Sequence, residues 1–341
     1  MLGRLAACAP YGFGASSLGN LYAEMSDASA HEAVDAAWSL GVRYFDTAPY
    51  YGFGLSERRL GDALRRHDRD DYILSTKAGR LLIPAEPAAE RGGFRSPMPF
   101  TDQFDYSYDG VMRSFEASLH RLGLSRIDIL LIHDLGAATH GESHSFHFSE
   151  AVRGGFRALE ELRAQGLVSA IGLGVNEVDI CAESMAHADF DLFLIAGRFT
   201  LLDQSASAFF DSCRARGVGV IAAGVFNSGI LAGGGSISYD YAPASESVLR
   251  RAEAIENVCR GFGVPLPAAA LQFSASHAGV TLPLLGVRDA REVAAAHKHA
   301  AVQIPSALWQ TLQELGLIQS AHLAPLIRAT AQQNVEEWTN G

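Results

Sequence analysis

The stretch Ser29-Ala-His-Glu-Ala-Val-Asp-Ala-Ala-Trp-Ser-Leu-Gly-Val-Arg-Tyr-Phe-Asp46 reads as one helix followed by one strand. Ser29-x-x-Glu32 has the spacing of a capping box, in which two side chains satisfy the free amides of a first helical turn. Ala33, Ala37 and Leu40 then fall on one face. Val42–Phe45 is a short apolar run, too short for a helix and rich enough in strand formers for a buried strand. The same unit recurs outward from here. Asp109–Arg121 carries Val111, Phe115, Leu119 and Leu122 at helical spacing, and Ser149–Gln165 carries Val152, Phe156, Leu159 and Leu162, with Gly166 placed to stop it.

Between these helices lie further apolar runs: Tyr72–Thr76, Ile127–His133, Val168–Gly174, Leu192–Ile195, Val218–Ala222 and Val280–Leu285. Near-continuous apolar strands separated by amphipathic helices imply a parallel sheet covered by helices. With a strand near Gly12–Ser16 there are eight, and no linker-like segment interrupts them. The expected fold is therefore α/β, a single (β/α)8 barrel spanning 1–341, with a C-terminal helix and tail over 305–341. A doubly wound open sheet alternates strand and helix in the same way and stays open on pattern alone. Two longer connections, Leu81–Tyr108 and Gly224–Ser247, follow strands and so would lie on the face where barrels place their active sites.

Composition excludes several classes. The 341 residues are 48% hydrophobic and 19% charged, with a formal charge of −11, which suits a folded globular chain. No basic block is present to grip nucleic acid, and no apolar run is long enough to span a bilayer. The N-terminus lacks a secretory signal's apolar stretch, so a cytoplasmic protein with a small-molecule substrate is expected, its oligomeric state open. Cys8, Cys181, Cys213 and Cys259 show neither a C-x-x-C pair nor zinc spacing, and neither disulfides nor a metal are expected. Leu2–Pro10 reads as short and irregular.

The cationic residues are almost all arginine; the lysines are Lys77 and Lys298. A primary amine can shift its pKa and do chemistry that a guanidinium cannot. Lys77 falls at a strand end, as do Asp46 and His133, with Tyr51 just beyond another, and in a barrel such ends converge on one mouth. A phenol with its pKa of about 10 exchanges protons poorly near neutrality unless a nearby cation steadies the phenolate. Lys77 is placed to supply that cation, Asp46 to neutralise and orient Lys77, and His133 to hydrogen-bond a substrate oxygen. A Schiff base on Lys77, as in an aldolase, is a rival on the same barrel.

Gly41-Val-Arg-Tyr-Phe-Asp-Thr-Ala-Pro-Tyr-Tyr-Gly52, followed by Leu55-Ser56-Glu57 and Leu60-Gly61, resembles the aldo-keto reductase signature. Leu74–Lys77, Ser118–Gly123 through Asp128 to His133, and Ile171-Gly172 with Asn176 continue the match in order, over roughly residues 11 to 300. The resemblance implies a nicotinamide-dependent oxidoreductase with a tetrad of Asp46, Tyr51, Lys77 and His133. It implies a cofactor bound in extended form, with Asn176 on the carboxamide and further contacts from Asp46, Gly224, Phe226, Gly286 and Arg288. Gly172-Leu173-Gly174 lacks the third glycine of a Rossmann turn, since position 177 is Glu.

Val175, Ala196 and Ala223 stand where the wider family usually has Ser, Gln and a ring. Around Gly286-Val-Arg-Asp289 the residues that clamp a 2′-phosphate are not evident and position 292 is Glu, which favours NAD over NADP. Gly12–Asn20, Ala196–Gln204, Gly224–Gly229 and Tyr239–Pro243 are similar to the bacterial aldose 1-dehydrogenase subgroup, which includes L-fucose and D-threo-aldose dehydrogenases and is similar to plant L-galactose dehydrogenase. That implies oxidation of the anomeric carbon of a free aldose to a lactone, with Arg198 and Asn227 on sugar hydroxyls, or Arg198 as a structural ion-pair partner. Pyridoxal 4-dehydrogenase, a general carbonyl reductase and a nucleotide-binding regulatory subunit remain alternatives.

Other features carry bland readings. His140, His144 and His147 are expected in a solvated loop, Gly233–Gly235 in a flexible turn, and Arg65–Asp71 at a solvated helix end.

Overall fold

A computed structural model describes residues 1–8, 10–233, 238–240 and 242–319. Eight strands are parallel and close into a barrel: β1 Gly12–Gly14, β2 Tyr44–Asp46, β3 Ile73–Ala78, β4 Ile129–His133, β5 Ala170–Val175, β6 Leu192–Ala196, β7 Gly219–Ala223 and β8 Leu282–Gly286. Their order around the barrel is β1-β8-β7-β6-β5-β4-β3-β2. Each falls within two residues of the run that the sequence marks for it. Almost every strand residue is buried, as expected where helices cover the outside and side chains fill the inside.

Register decides which side chains meet. Gly14 lies opposite Asp46, and Asp46 opposite Ser75. Lys77 lies opposite Leu131, and His133 opposite Gly174. Because alternate strand residues share a face, Ser75 and Lys77 point the same way from β3.

The structure divides into two compact units, Met1–Ile195 with Leu284–Ala294, and Ala196–Pro283 with Ala295–Gly341. In the first, the helix after β1 spans Asp27–Ser39 and is capped by Ser26, whose Oγ accepts from Ser29 N at 3.1 Å. The helix thus starts a few residues earlier than Ser29-x-x-Glu32 indicates. Tyr108–Leu122 is capped by Ser107 and closed by Gly123 in the left-handed region, at φ 62°.

The expected helix Ser149–Gln165 is a π-helical turn, Ala151–Gly155, leading into an α-helix, Phe156–Ala164. The cause is close packing: a Cβ on Gly154 would lie 2.6 Å from Tyr108 N, so the two glycines let the helix press onto segment 106–108. Upstream, Ala137–His140 and His144–Glu150 are helical rather than a solvated loop, and the His140 and His147 rings lie 4.1 Å apart.

Leu2–Ala6 is a helix rather than an irregular start. In the Arg65–Asp71 stretch, Arg69 is not merely solvated: NH2 donates to buried Asp128 at 2.6 Å, and Asp128 also receives Leu74 N at 2.8 Å. The third connection is built as a hairpin, Arg80–Pro84 antiparallel to Phe100–Phe104.

The second unit is centred on stacked Phe199 and Phe273, with Phe210 and His277 against them. Gln204 Nε2 donates to Leu317 O at 3.4 Å, just past the helix Ser306–Glu314. The remainder of the expected tail, 320–341, lies outside the described residues, as do Gly234 and Gly235. Among the described residues no helix is long and apolar enough to cross a membrane.

Candidate active site

Asp46 ends β2 and is 2% exposed; Lys77, near the end of β3, is 1% exposed. Lys77 Nζ donates to Asp46 Oδ2 at 2.6 Å and to Thr47 O at 2.9 Å. Ser75 Oγ donates to Asp46 Oδ1 at 2.6 Å and lies 2.8 Å from Tyr44 Oη. A buried ion pair repays its desolvation only when its remaining lone pairs and protons are satisfied, and here both carboxylate oxygens have a donor. The lysine stem runs past Gly174, where a Cβ would lie 3.1 Å from Lys77 Cε. A side chain there would press on the pair.

Tyr51 sits in the turn after β2. A Cβ on Gly19 would lie 2.5 Å from Tyr51 C and 2.6 Å from Gly52 N, so only glycine lets the segment after β1 approach the Tyr51 backbone this closely. Lys77 Nζ is 4.9 Å from the Tyr51 ring centroid, and the His133 ring is 5.9 Å away, edge-on. Tyr51 is half-buried in this turn. That burial, then the carboxylates of Asp46 and Asp134, hold the phenol well above its usual value of 10, with Arg80 opposing. The sequence reading made Lys77 the group that lowers it. At rest the ammonium is instead engaged by Asp46 and Thr47, so the phenol keeps its proton.

His133 ends β4, 5% exposed, and its carbonyl accepts from Tyr106 Oη at 2.8 Å. Burial first, then Arg80 and Lys77, hold the imidazole well below 6.5, so it is neutral near pH 7. Its Nδ1 is buried without a partner, and its Nε2 lies 3.4 Å from Asp134 Oδ2. A protonated phenol and a neutral imidazole edge-on to each other can hold an oxygen between them and move a proton to or from it.

The sequence reading missed what surrounds this group. Arg80 bridges Asp102 at 2.7 Å and Asp134 at 2.5 Å, with its guanidinium 4.0 Å from the Tyr50 ring centroid. Ser75 and Tyr50 stood inside the quoted motifs but passed as strand and turn residues. Asp134 directly follows His133, and the acid beside a strand-end histidine was the available signal. The histidines of the next segment do not converge on a metal. His140 Nε2 pairs with Tyr106 Oη at 2.9 Å, and among the described residues no group of three or more His, Cys, Asp or Glu could hold an ion. The four cysteines are buried, and none is joined in a disulfide.

Of the expected cofactor contacts in this unit, Asn176 follows the last residue of β5 and is half-buried. Gly286 ends β8 exposed, and a Cβ there would meet only Ser16 Oγ, at 3.9 Å, which leaves the strand end open to a flat or phosphate-bearing group. These residues suit a nicotinamide nucleotide. Arg288 is exposed and tied to Glu292, its Nε and NH2 donating at 2.8 and 2.6 Å and its backbone N at 2.8 Å.

In the second unit, Gly224 is exposed at φ 64° and Phe226 is half-buried. Asn227 is 3% exposed, with Nδ2 3.4 Å from Gly197 O and Oδ1 buried without a partner. Arg198 pairs with Asp240 at 2.8 Å and Asp203 at 3.3 Å. Ala196, Ala223 and, in the first unit, Val175 end their strands with nothing but apolar surface to offer.

Residues 10–316 match the aldo/keto reductase family. The chain belongs to that family. This aldo-keto reductase is 44% identical to a pyridoxal 4-dehydrogenase of Microbacterium luteolum and 39% identical to a D-threo-aldose 1-dehydrogenase of a Pseudomonas species; each match covers 90% of this chain and 94% of the relative. A solved aldo-keto reductase from Bacillus halodurans superposes at a TM-score of 0.67 and 22% identity, over 89% of this chain and 91% of that one, a likeness of fold. The enzyme is an oxidoreductase of a family that uses nicotinamide nucleotides.

Proposed function

We propose that this aldo-keto reductase oxidises the cyclic hemiacetal carbon of a free aldose to a lactone, with Tyr51 as the proton acceptor. The observation that carries the reading is the shared enclosure of Tyr51, the satisfied Lys77–Asp46 pair and neutral His133 in one unit. When bound, the nicotinamide ring supplies the hydride acceptor. His133 hydrogen-bonds the substrate hydroxyl, Tyr51 takes its proton, and the C–H electron pair leaves as hydride while the carbonyl forms. Asn176 and Gly286 hold the nucleotide, and Asp46 acts on it through Lys77. The 39% identity to a D-threo-aldose 1-dehydrogenase supports the sugar, and unpartnered Asn227 Oδ1 supports a role for Asn227 toward a hydroxyl. Arg198, held by two carboxylates, fits the structural alternative better than direct contact.

Pyridoxal is the second reading. It presents the same hemiacetal, the relative named for it is 44% identical, and half-buried Tyr50 sets an aromatic ring edge-on to His133 at 6.3 Å. The pairing of Arg288 with Glu292 supports NAD over NADP, since a guanidinium already held by a carboxylate is less able to take a 2′-phosphate.

The test is reduced-nicotinamide formation with NAD or NADP on L-fucose, D-arabinose, L-galactose and pyridoxal. Sugar turnover is expected with NAD and should fall about 10²–10⁴-fold in Tyr51→Phe. Because the phenol is held high, oxidation requires its deprotonated form and should rise toward alkaline pH, while the reverse reduction falls. Activity confined to pyridoxal would replace the sugar reading, and oxidation equally fast in Tyr51→Phe would remove Tyr51 from proton transfer.

A further inference from the structure

Asp134 is a non-glycine residue held in the left-handed region, at φ 49°. Short polar side chains tolerate that conformation at a cost, and the surrounding structure must over-determine it. It does so from both sides. Asp134 N donates to Gly174 O at 3.0 Å, and its carbonyl accepts from Tyr106 Oη at 3.3 Å. The result is that residues 133 and 134, adjacent in sequence, bring their side chains together instead of pointing apart. Asp134 Oδ2 lies 3.4 Å from His133 Nε2 and accepts from Arg80 NH2 at 2.5 Å.

The charged and titratable groups around Tyr51 are few. Tyr44 and Asp46 come from β2, Lys77 from β3, His133 and Asp134 from the end of β4, and Arg80 from the hairpin. Asp46 and Lys77 compensate each other at 2.6 Å. His133 is neutral near pH 7. What remains is Arg80 between two carboxylates, Asp134 facing the site and Asp102 on the hairpin strand.

We propose that Asp134 and Arg80 are positioning residues acting as an opposed charge pair behind His133. The carboxylate tightens the hold of Tyr51 on its proton and the guanidinium loosens it, so that the pair sets the pH at which the enzyme changes from reductant to oxidant. The directions follow from charge. A carboxylate near a phenol disfavours the phenolate, and a guanidinium favours it. Asp102 ties Arg80 to the hairpin Arg80–Pro84/Phe100–Phe104, so the third connection supports the acid–base group as well as bounding it.

The inference rests on Tyr51 being the proton-transferring residue, and its test reads Tyr51 with and without turnover. Asp134→Asn keeps the shape, an oxygen for Arg80 and tolerance of positive φ, and removes only the charge. In nucleotide-free protein, the tyrosinate absorbance that disappears in Tyr51→Phe should emerge about 0.5–1 pH unit lower in Asp134→Asn. The rising limb of the oxidation rate should move down with it. In the Asp134→Asn background, where no carboxylate at 134 can take up a proton in response, adding Arg80→Met should move that limb back up. A merely structural pair would shift the limb in the same sense at both steps or at neither. An unmoved tyrosinate titration in Asp134→Asn, or same-signed limbs, overturns the proposal. Should the double variant not fold, the Asp134→Asn titration decides alone. Absence of turnover on every sugar and on pyridoxal, with that titration shifted, would strike the substrate reading and leave this one standing.

Discussion

Lys77 in the first unit and Arg198 in the second each bridge two oxygen acceptors near a strand end, and the two sites differ in water. Lys77 sits between Asp46 and Thr47 O with its side chain 1% exposed, and Asp46 is 2% exposed. Arg198 sits between Asp203 and Asp240, the three side chains being 21%, 20% and 39% exposed. The first cannot lose a member without leaving an unpaired charge in a dry interior. The second can replace a lost partner with solvent. Similar motifs on paper therefore differ in consequence, because burial sets the cost of a missing partner.

The largest effect should come from breaking the dry pair. Asp46→Ala leaves the ammonium with Thr47 O alone and should destabilise by about 3–5 kcal/mol in urea unfolding. A loss under about 1 kcal/mol would mean that water enters the Lys77 site, and the contrast would collapse.

An intermediate case is His140, partly open and packed against His147. Burial first, then the neighbouring cations, lower its pKa to about 4 from 6.5. A lowered histidine means that the unfolded chain binds protons first. Stability should be full above pH 6.5, fall as pH drops, and level off below about 4. With solvent screening taken into account the change should be about 1 kcal/mol, read as the difference in pH slope between the protein and His140→Gln. Identical slopes would show that the ring is as wet as the Arg198 site.

The smallest effect belongs to the open pair. Arg198→Ala should cost about 0.2–1 kcal/mol by the same urea measurement. A cost approaching that of Asp46→Ala would place Arg198 in a drier setting than its exposure indicates.

Much of this molecule is written locally. The eight strands are apolar runs bounded by helices, and all but their end residues could be read from Tyr44-Phe45-Asp46, Ile129–His133 and their counterparts. Helix starts were less legible: Ser26 caps where Ser29 looked the better choice, since either spacing satisfies the first turn and packing selects one. The π-turn at Ala151–Gly155 was hidden, because helical spacing cannot register that Gly154 and Gly155 face another backbone. The histidines after β4 read as loop because Gly141 interrupts the segment and no zinc motif is present, while in the folded chain ring packing with Phe104 and Tyr106 supports their helices.

The site divides in the same way. Asp46, Tyr51, Lys77 and His133 announce themselves as polar residues at the ends of apolar strands, and the barrel's symmetry brings such ends together whatever their separation in sequence. Arg80, Asp102 and Asp134 do not, because their meaning lies in one left-handed residue and one hairpin register. The sequence by itself determined the strands and put the four candidate groups at or just past their ends, both set by local patterning, while closure of the sheet into a barrel was left open by that pattern. Only tertiary structure decided the protonation of those groups, since a phenol held high and an imidazole held low depend on burial and on charges distant in sequence.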